Sequence, residues 1–136
     1  MVTGLKGYVA NIERETIKNT DFRRVLYTGK HSQLVLMSLK PGEEIGEETH
    51  SDVDQFFRFE KGEGKVIIDG VEHSVKDGSA VIVPAGARHN VINTSKRADL
   101  KLYTIYSPPE HRDGVVHHTK KEAMSSEEHF DGKTTE

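Results

Sequence analysis

Between Gln33 and Ser107 the apolar residues come in short runs, and turn signals interrupt them at close, even intervals. QLVLMSL (33–39) runs into Pro41-Gly42, and GKVIIDGVEHSV (64–75) carries Asp69-Gly70 between two apolar stretches. Asp-Gly tolerates the positive φ values of a tight hairpin, so residues 64–75 are predicted to be two antiparallel strands. Lys76, Asp77 and Gly78 mark another turn. SAVIVP (79–84) reads as a strand stopped by proline, and HNVINTS (89–95) and DLKLYTIYS (99–107) as two more. Many short strands at such spacing leave a sandwich or a barrel as the architectures that bury both halves of the pattern.

The hydrophobic fraction is 34% and the charged fraction 30%, but the alternation concentrates the apolar residues on one face of each strand, as a folded chain requires. At 136 residues one core is expected, since domains commonly run to about 100–150 residues. The sequence divides into a barrel over residues 1–110 and a polar tail over 111–136. The first thirty residues are expected to be extended. Thr119 to Glu122 fits a capping box, predicting a short helix near 120–129, with the last six residues frayed.

The net charge is −3 and the cations are scattered, so no basic stripe exists to neutralise a nucleic-acid backbone. No apolar run approaches the roughly 18 residues of a membrane helix, and MVTGLKGYVANIERE has no apolar core of a signal peptide. A cytoplasmic protein is expected. Cysteine is absent, so thiolate chemistry is excluded and any metal site draws on His, carboxylate and amide ligands, which suit Zn, Mn, Fe, Co or Ni.

The stretch EETHSDVDQFFRFEKGEG (47–64) raises the sharpest question. On a strand Gln55, Phe57 and Phe59 share a face, so a polar amide heads an aromatic row. Glu48 and His50, two residues apart, also share a face about 7 Å apart along the backbone. A turn through 51–54 returns Gln55 opposite them, and His89 offers a fourth group from another strand. Taken singly, each has a bland structural explanation.

Together their spacing resembles the two motifs of the cupin family. Gly42, five residues, Glu48-Thr49-His50, four residues, Gln55, six residues and Gly62 follow the spacing of the first motif. Gly78, Pro84, Gly86, His89 and Asn93 match the second without departure. The resemblance covers residues 33–107. It implies an all-β double-stranded β-helix, or jelly-roll, barrel with a short C-terminal tail or helix. Inside it one divalent transition metal would be held by Glu48, His50, Gln55 and His89. Relative to the family, Glu stands for the first His and Gln for the usual Glu, which keeps the ligand charge at −1. Phe57 and Phe59 would then pack the interior below an amide that faces the metal, with Arg58 on the outer face.

The positive φ region is expected at Gly42, Gly62, Gly78 and Gly86, and Asn93 is assigned a backbone or turn contact. His31, His73, His111, His117, His118 and His129 are expected to be solvated. The ligand set resembles, in another order, that of zinc-dependent mannose-6-phosphate isomerases, and the chain is similar to short cupins grouped with them. That implies an isomerase in which the metal polarises a sugar carbonyl and stabilises an enediolate. Glu60 and Tyr106 are candidates for its base, while Arg88 should point away from the metal. Glu48, His50 and His89 alone form the two-His, one-carboxylate set of non-haem Fe(II) dioxygenases, the second reading. A non-catalytic binding module for a small molecule is the third. The family resemblance also implies a homodimer.

Overall fold

The computed structural model describes residues 4–136. Two antiparallel sheets face each other. The larger has the order β10-β1-β2-β9-β4-β7, built from β1 (Arg23–Thr28), β2 (Gln33–Leu39), β4 (Asp54–Lys61), β7 (Ala80–Val83), β9 (Leu100–Ser107) and β10 (Val116–His117). The smaller has the order β3-β8-β5-β6, from β3 (Glu48–Thr49), β5 (Glu63–Ile68), β6 (Val71–Lys76) and β8 (Arg88–Asn93). This is the double-sheet jelly roll implied by the motifs.

Alternation decides what lies inside. Val35, Met37 and Leu39 of β2, Phe57 and Phe59 of β4, Leu102 of β9, Val66 of β5 and Val91 of β8 are buried in one core between the sheets. Each is two residues from the next inward residue of its strand, which is the pleat period. The Phe57 and Phe59 rings stack with centroids 6.3 Å apart. Arg58 lies on the outer face as expected, 3.0 Å from Glu60.

The predicted hairpin is β5-β6, with Asp69 at φ 46° and Gly70 at φ 83°, the pair of left-handed residues that a two-residue turn needs. Gly62 turns β4 into β5 at φ 107°, and a Cβ there would meet the Asp99 carbonyl oxygen at 2.6 Å. Asn93 caps the far end of the barrel. Its Nδ2 reaches the carbonyls of Leu39, Lys40 and Ala98 at 2.9–3.1 Å, and its Oδ1 accepts the Ser95 amide.

Two expectations fail outside the motif region. The first thirty residues are not all extended, because Ile12–Lys18 forms α1. Its N-cap Asn11 accepts the Arg14 amide, and it packs on β9 and β4, where Thr16 is buried. Seven residues with three β-branched side chains give no periodic stripe, so capping and packing rather than propensity hold this turn.

The segment after Pro109 is also more than a surface crossing. β10 extends the large sheet by pairing with β1, and His111 and His117 are buried rather than solvated. α2 (Lys120–Ser125) forms as the capping box predicts: Thr119 Oγ1 accepts the Glu122 amide, and Glu122 Oε2 accepts the His118 amide. The last residues are held, not frayed. Thr135 Oγ1 accepts the Thr28 amide, and the Glu136 carboxylate accepts the Tyr27 hydroxyl and the Gly7 amide.

His118 Nδ1 lies 2.7 Å from Asp21 Oδ1, which joins this segment to the start of β1. The hydrogen bond with Asp21 raises the His118 pKa, with Glu122 adding to it. Burial alone would raise the Asp21 pKa, but the hydrogen bonds and charges of His118 and Arg24 together outweigh it and hold it low.

Two predictions follow from these contacts. Gly62→Ala should destabilise the fold by about 1–3 kcal/mol through strain and overlap, read from urea unfolding midpoints at unchanged slope. The ion pair contributes above the lowered pKa of Asp21 and below the raised pKa of His118. Its share is present below the unfolded His pKa and is lost as pH rises through the folded value. His118→Asn should therefore lower the melting temperature at about pH 5.5 and leave it unchanged at about pH 9.

Candidate metal centre

Pairing of β3 with β8 sets Glu48 directly opposite His89, so their Cβ atoms are cross-strand neighbours. His50, two residues beyond Glu48, projects to the same side. The ligand atoms of Glu48, His50 and His89 all lie within 4.8 Å of one another. That spread is close to what one ion with bonds of about 2.0–2.2 Å gathers after a small contraction.

Gln55 enters from the other sheet. In the register of β4 it sits between Val83 of β7 and Tyr106 of β9, at the head of the row that continues as Phe57 and Phe59. Its Nε2 donates to Thr104 Oγ1 at 3.0 Å, and the residue is 2% exposed. The amide orientation is thereby fixed, and Oε1 is left for the interior.

Hydrogen-bond accounting separates this cluster from an ordinary buried polar patch. His50 Nε2, His89 Nε2 and Gln55 Oε1 are buried, and none has a hydrogen-bond partner. Buried polar atoms in folded proteins are nearly always paired, because an unpaired one costs about 1–3 kcal/mol. Two of these atoms belong to the imidazoles grouped with the Glu48 carboxylate, and the third enters from the facing sheet; a cation could take the lone pairs that the protein leaves unpaired.

The imidazoles are prepared for that role. His89 Nδ1 donates to the Ala87 carbonyl at 3.2 Å, which places the ring proton there and the free lone pair on Nε2. Burial pushes the His89 pKa below its usual value, which favours the neutral ring. His50 Nδ1 faces Glu110 Oε1 at 3.6 Å, while its Nε2 lies 3.9 Å from Glu48 Oε1. Glu110 thus stands on the outer side of the His50 ring, beyond direct hydrogen-bond distance of Nδ1.

The other residues singled out in the sequence fall on both sides of the sheets. Arg88 points outward, 3.8 Å from Glu47. Glu60 is removed from consideration as a base: it alternates with Phe59, lies on the outer face of β4 and pairs with Arg58. Tyr106 is inside, buried, with its ring edge-on to His50 at 6.0 Å. Burial raises its pKa strongly. The paired His117-His118 does not act as one unit, since His117 Nδ1 lies 3.4 Å from Arg23 and His118 binds Asp21.

Sequence reasoning passed over Glu110 and His111, which Gln33 holds against the site. Gln33 Oε1 accepts both of their amides, and its Nε2 donates to the His111 carbonyl at 2.7 Å. The only cue to them was their place just past the strand that carries Tyr106.

Comparison with known proteins agrees with the fold and the motifs. The cupin domain family matches residues 35–106. The uncharacterized protein YrkC of Bacillus subtilis (strain 168) is 50% identical over 131 residues, covering 92% of this chain and 70% of that protein. The uncharacterized protein L612 of Acanthamoeba polyphaga mimivirus is 47% identical over 113 residues, covering 80% and 70%. The crystal structure of BH2720 from Bacillus halodurans superposes with a TM-score of 0.87 at 47% identity, covering 90% of this chain and 97% of that one. With a matching domain, a jelly-roll fold and a Glu/His/His cluster able to bind a metal, the chain belongs to the cupin family.

Proposed function

We propose that the protein is a metal-dependent cupin that acts on a small hydroxylated carbonyl compound by isomerase-type chemistry, with Glu48, His50, Gln55 and His89 as the ligands of one divalent ion. The observation that carries the metal reading is the pair of buried, unpartnered imidazole nitrogens of His50 and His89 clustered with the Glu48 carboxylate, with the equally unpartnered Gln55 Oε1 on the facing sheet. Two imidazoles, one carboxylate and one amide oxygen suit a borderline ion such as Zn, Mn, Fe, Co or Ni.

Such an ion supplies a Lewis acid that polarises carbonyl and hydroxyl oxygens. The chain's own residues do the rest. The Glu48 carboxylate offsets part of the ion's charge, and Thr104 keeps the Gln55 oxygen turned inward. Phe57 and Phe59 close the space beneath and exclude water. Arg88 faces away from the site, so an uncharged sugar fits this reading better than a phosphate ester. Cytoplasmic location and a homodimeric state belong to the same proposal.

A second reading is favoured by one specific feature. Glu48, His50 and His89 group without Gln55 as a two-His, one-carboxylate set, the arrangement of non-haem Fe(II) oxygenases. Oxygen consumption distinguishes the two. Metal-loaded protein incubated with aldose and ketose sugars in deuterated water should incorporate deuterium next to the carbonyl with no oxygen uptake. Substrate-dependent oxygen uptake after Fe(II) loading would replace the isomerase reading with the oxygenase one. A protein that binds such compounds without turnover would be a binding module.

The ligand assignment has its own tests. Elemental analysis of untagged protein should show one equivalent of transition metal, lost in His50→Ala and His89→Ala and retained in His73→Ala and His118→Ala. Gln55→Glu should tighten metal binding by about 10-fold, measured by chelator competition, because it adds a charged ligand. Unchanged affinity would take Gln55 out of the coordination sphere.

A further inference from the structure

Behind the centre three polar side chains lie in a row. Glu128 Oε1 is 2.6 Å from His111 Nδ1, and His111 Nε2 is 3.2 Å from the Tyr106 hydroxyl. The Glu128 side chain is 3% exposed, and Tyr106 and His111 are buried too. The second Glu128 oxygen accepts the Arg112 amide at 2.8 Å. The Tyr106 and His111 rings meet edge-on, 5.1 Å apart.

A buried carboxylate and imidazole are a costly way to support a phenol whose ring already packs well, since phenylalanine would fill that space without the polar pair. What the pair adds is direction. A carboxylate only accepts, so the His111 ring proton sits on Nδ1 and is donated to Glu128. Burial is the largest single influence on Glu128 and would raise its pKa, but the hydrogen bonds from His111 and the Arg112 amide, with the nearby charges of His111 and Arg23, together outweigh it and hold the carboxyl below its usual value. In the neutral imidazole Nε2 is the acceptor, and the Tyr106 hydroxyl then donates to it. The phenol oxygen otherwise faces the barrel interior, where the Tyr106 ring stands against His50 and the strand register puts the Gln55 amide alongside, within reach to donate to that oxygen.

We propose that Tyr106 accepts a hydrogen bond from an O–H or N–H of the small molecule held at the Glu48–His50–His89 centre, and that His111 and Glu128 are positioning residues that fix its hydroxyl for this. The proposal rests on the metal reading above and adds to it a ligand class: a compound with a donor group beside its metal-facing oxygen, as in a hydroxy-carbonyl compound. Residues 110–128 are thereby part of the site, clasped to the barrel by Gln33.

The test uses the full chain loaded with Co(II), titrated with acetohydroxamate and followed by the visible cobalt spectrum. N-methylacetohydroxamate, which lacks the N–H donor, is the matched control. Tyr106→Phe should weaken acetohydroxamate about 3- to 10-fold, the worth of one hydrogen bond, with the N-methyl compound and Co(II) affinity unaffected. Glu128→Gln should produce a smaller loss in the same sense, with no further loss when combined with Tyr106→Phe. In the metal-free protein, the wild type should show a far-downfield imidazole N–H proton resonance that Glu128→Gln removes. Absence of any cobalt spectrum would overturn the metal centre and this inference with it. Bound cobalt with unchanged acetohydroxamate affinity in Tyr106→Phe, or an equal loss for both hydroxamates, would overturn the role of Tyr106 alone.

Discussion

The pairing of β3 with β8 is the contact on which the site depends. β3 is two residues long, yet its register opposite His89 and Arg88 decides that Glu48 and His50 face inward. A slip of one residue would turn both outward and bring Thr49 in, because side chains alternate strictly along a strand. So short a strand has little pairing energy of its own. Its surroundings supply the rest: the Gly46 amide donates to Asn90 Oδ1, the Gly86 amide donates to the His50 carbonyl, and the Glu44 bridge to Ile92 extends the ladder beyond the strand.

The two sheets contribute unlike things. The small sheet brings the charged and imidazole groups on chain that leaves or enters a turn, while the large sheet brings Gln55 on a strand paired on both sides. The amide is therefore the rigid member of the set, locked by Thr104 from β9, and the carboxylate is the adjustable one, with its side chain 35% exposed. On the proposed metal reading, a site with one fixed wall and one yielding wall would accept ions of somewhat different size without disturbing the Phe57 and Phe59 core beneath.

Much of this was legible in the sequence, and the reasons are physical. Alternation reports which residues face the core, so the bounds of β2 and the Asp69-Gly70 hairpin could be read directly. Motif spacing reports which residues face one another across a turn, so Glu48, His50, Gln55 and His89 could be named as a group. Neither signal operates where burial is built from side-chain hydrogen bonds. α1 depends on the Asn11 cap and on packing of Thr16 against the sheet, neither of which has a period. His111 and Glu128 are seventeen residues apart in a polar stretch, and only the Gln33 clasp and the β10 pairing bring them under the barrel. Glu60 was misjudged for the opposite reason: its nearness in sequence concealed that the pleat turns it outward.

The exposure of Glu48 also bears on the order of events at the mouth of the barrel. Glu48 and Glu110 both lie within 4 Å of His50, so an empty site presents two carboxylates to whatever approaches. Their field draws cations in and repels anions, most strongly at low ionic strength. On the proposed metal reading, an anionic ligand would meet that barrier until a divalent ion had offset the two carboxylates. The rim would then favour metal first and ligand second, without any moving part.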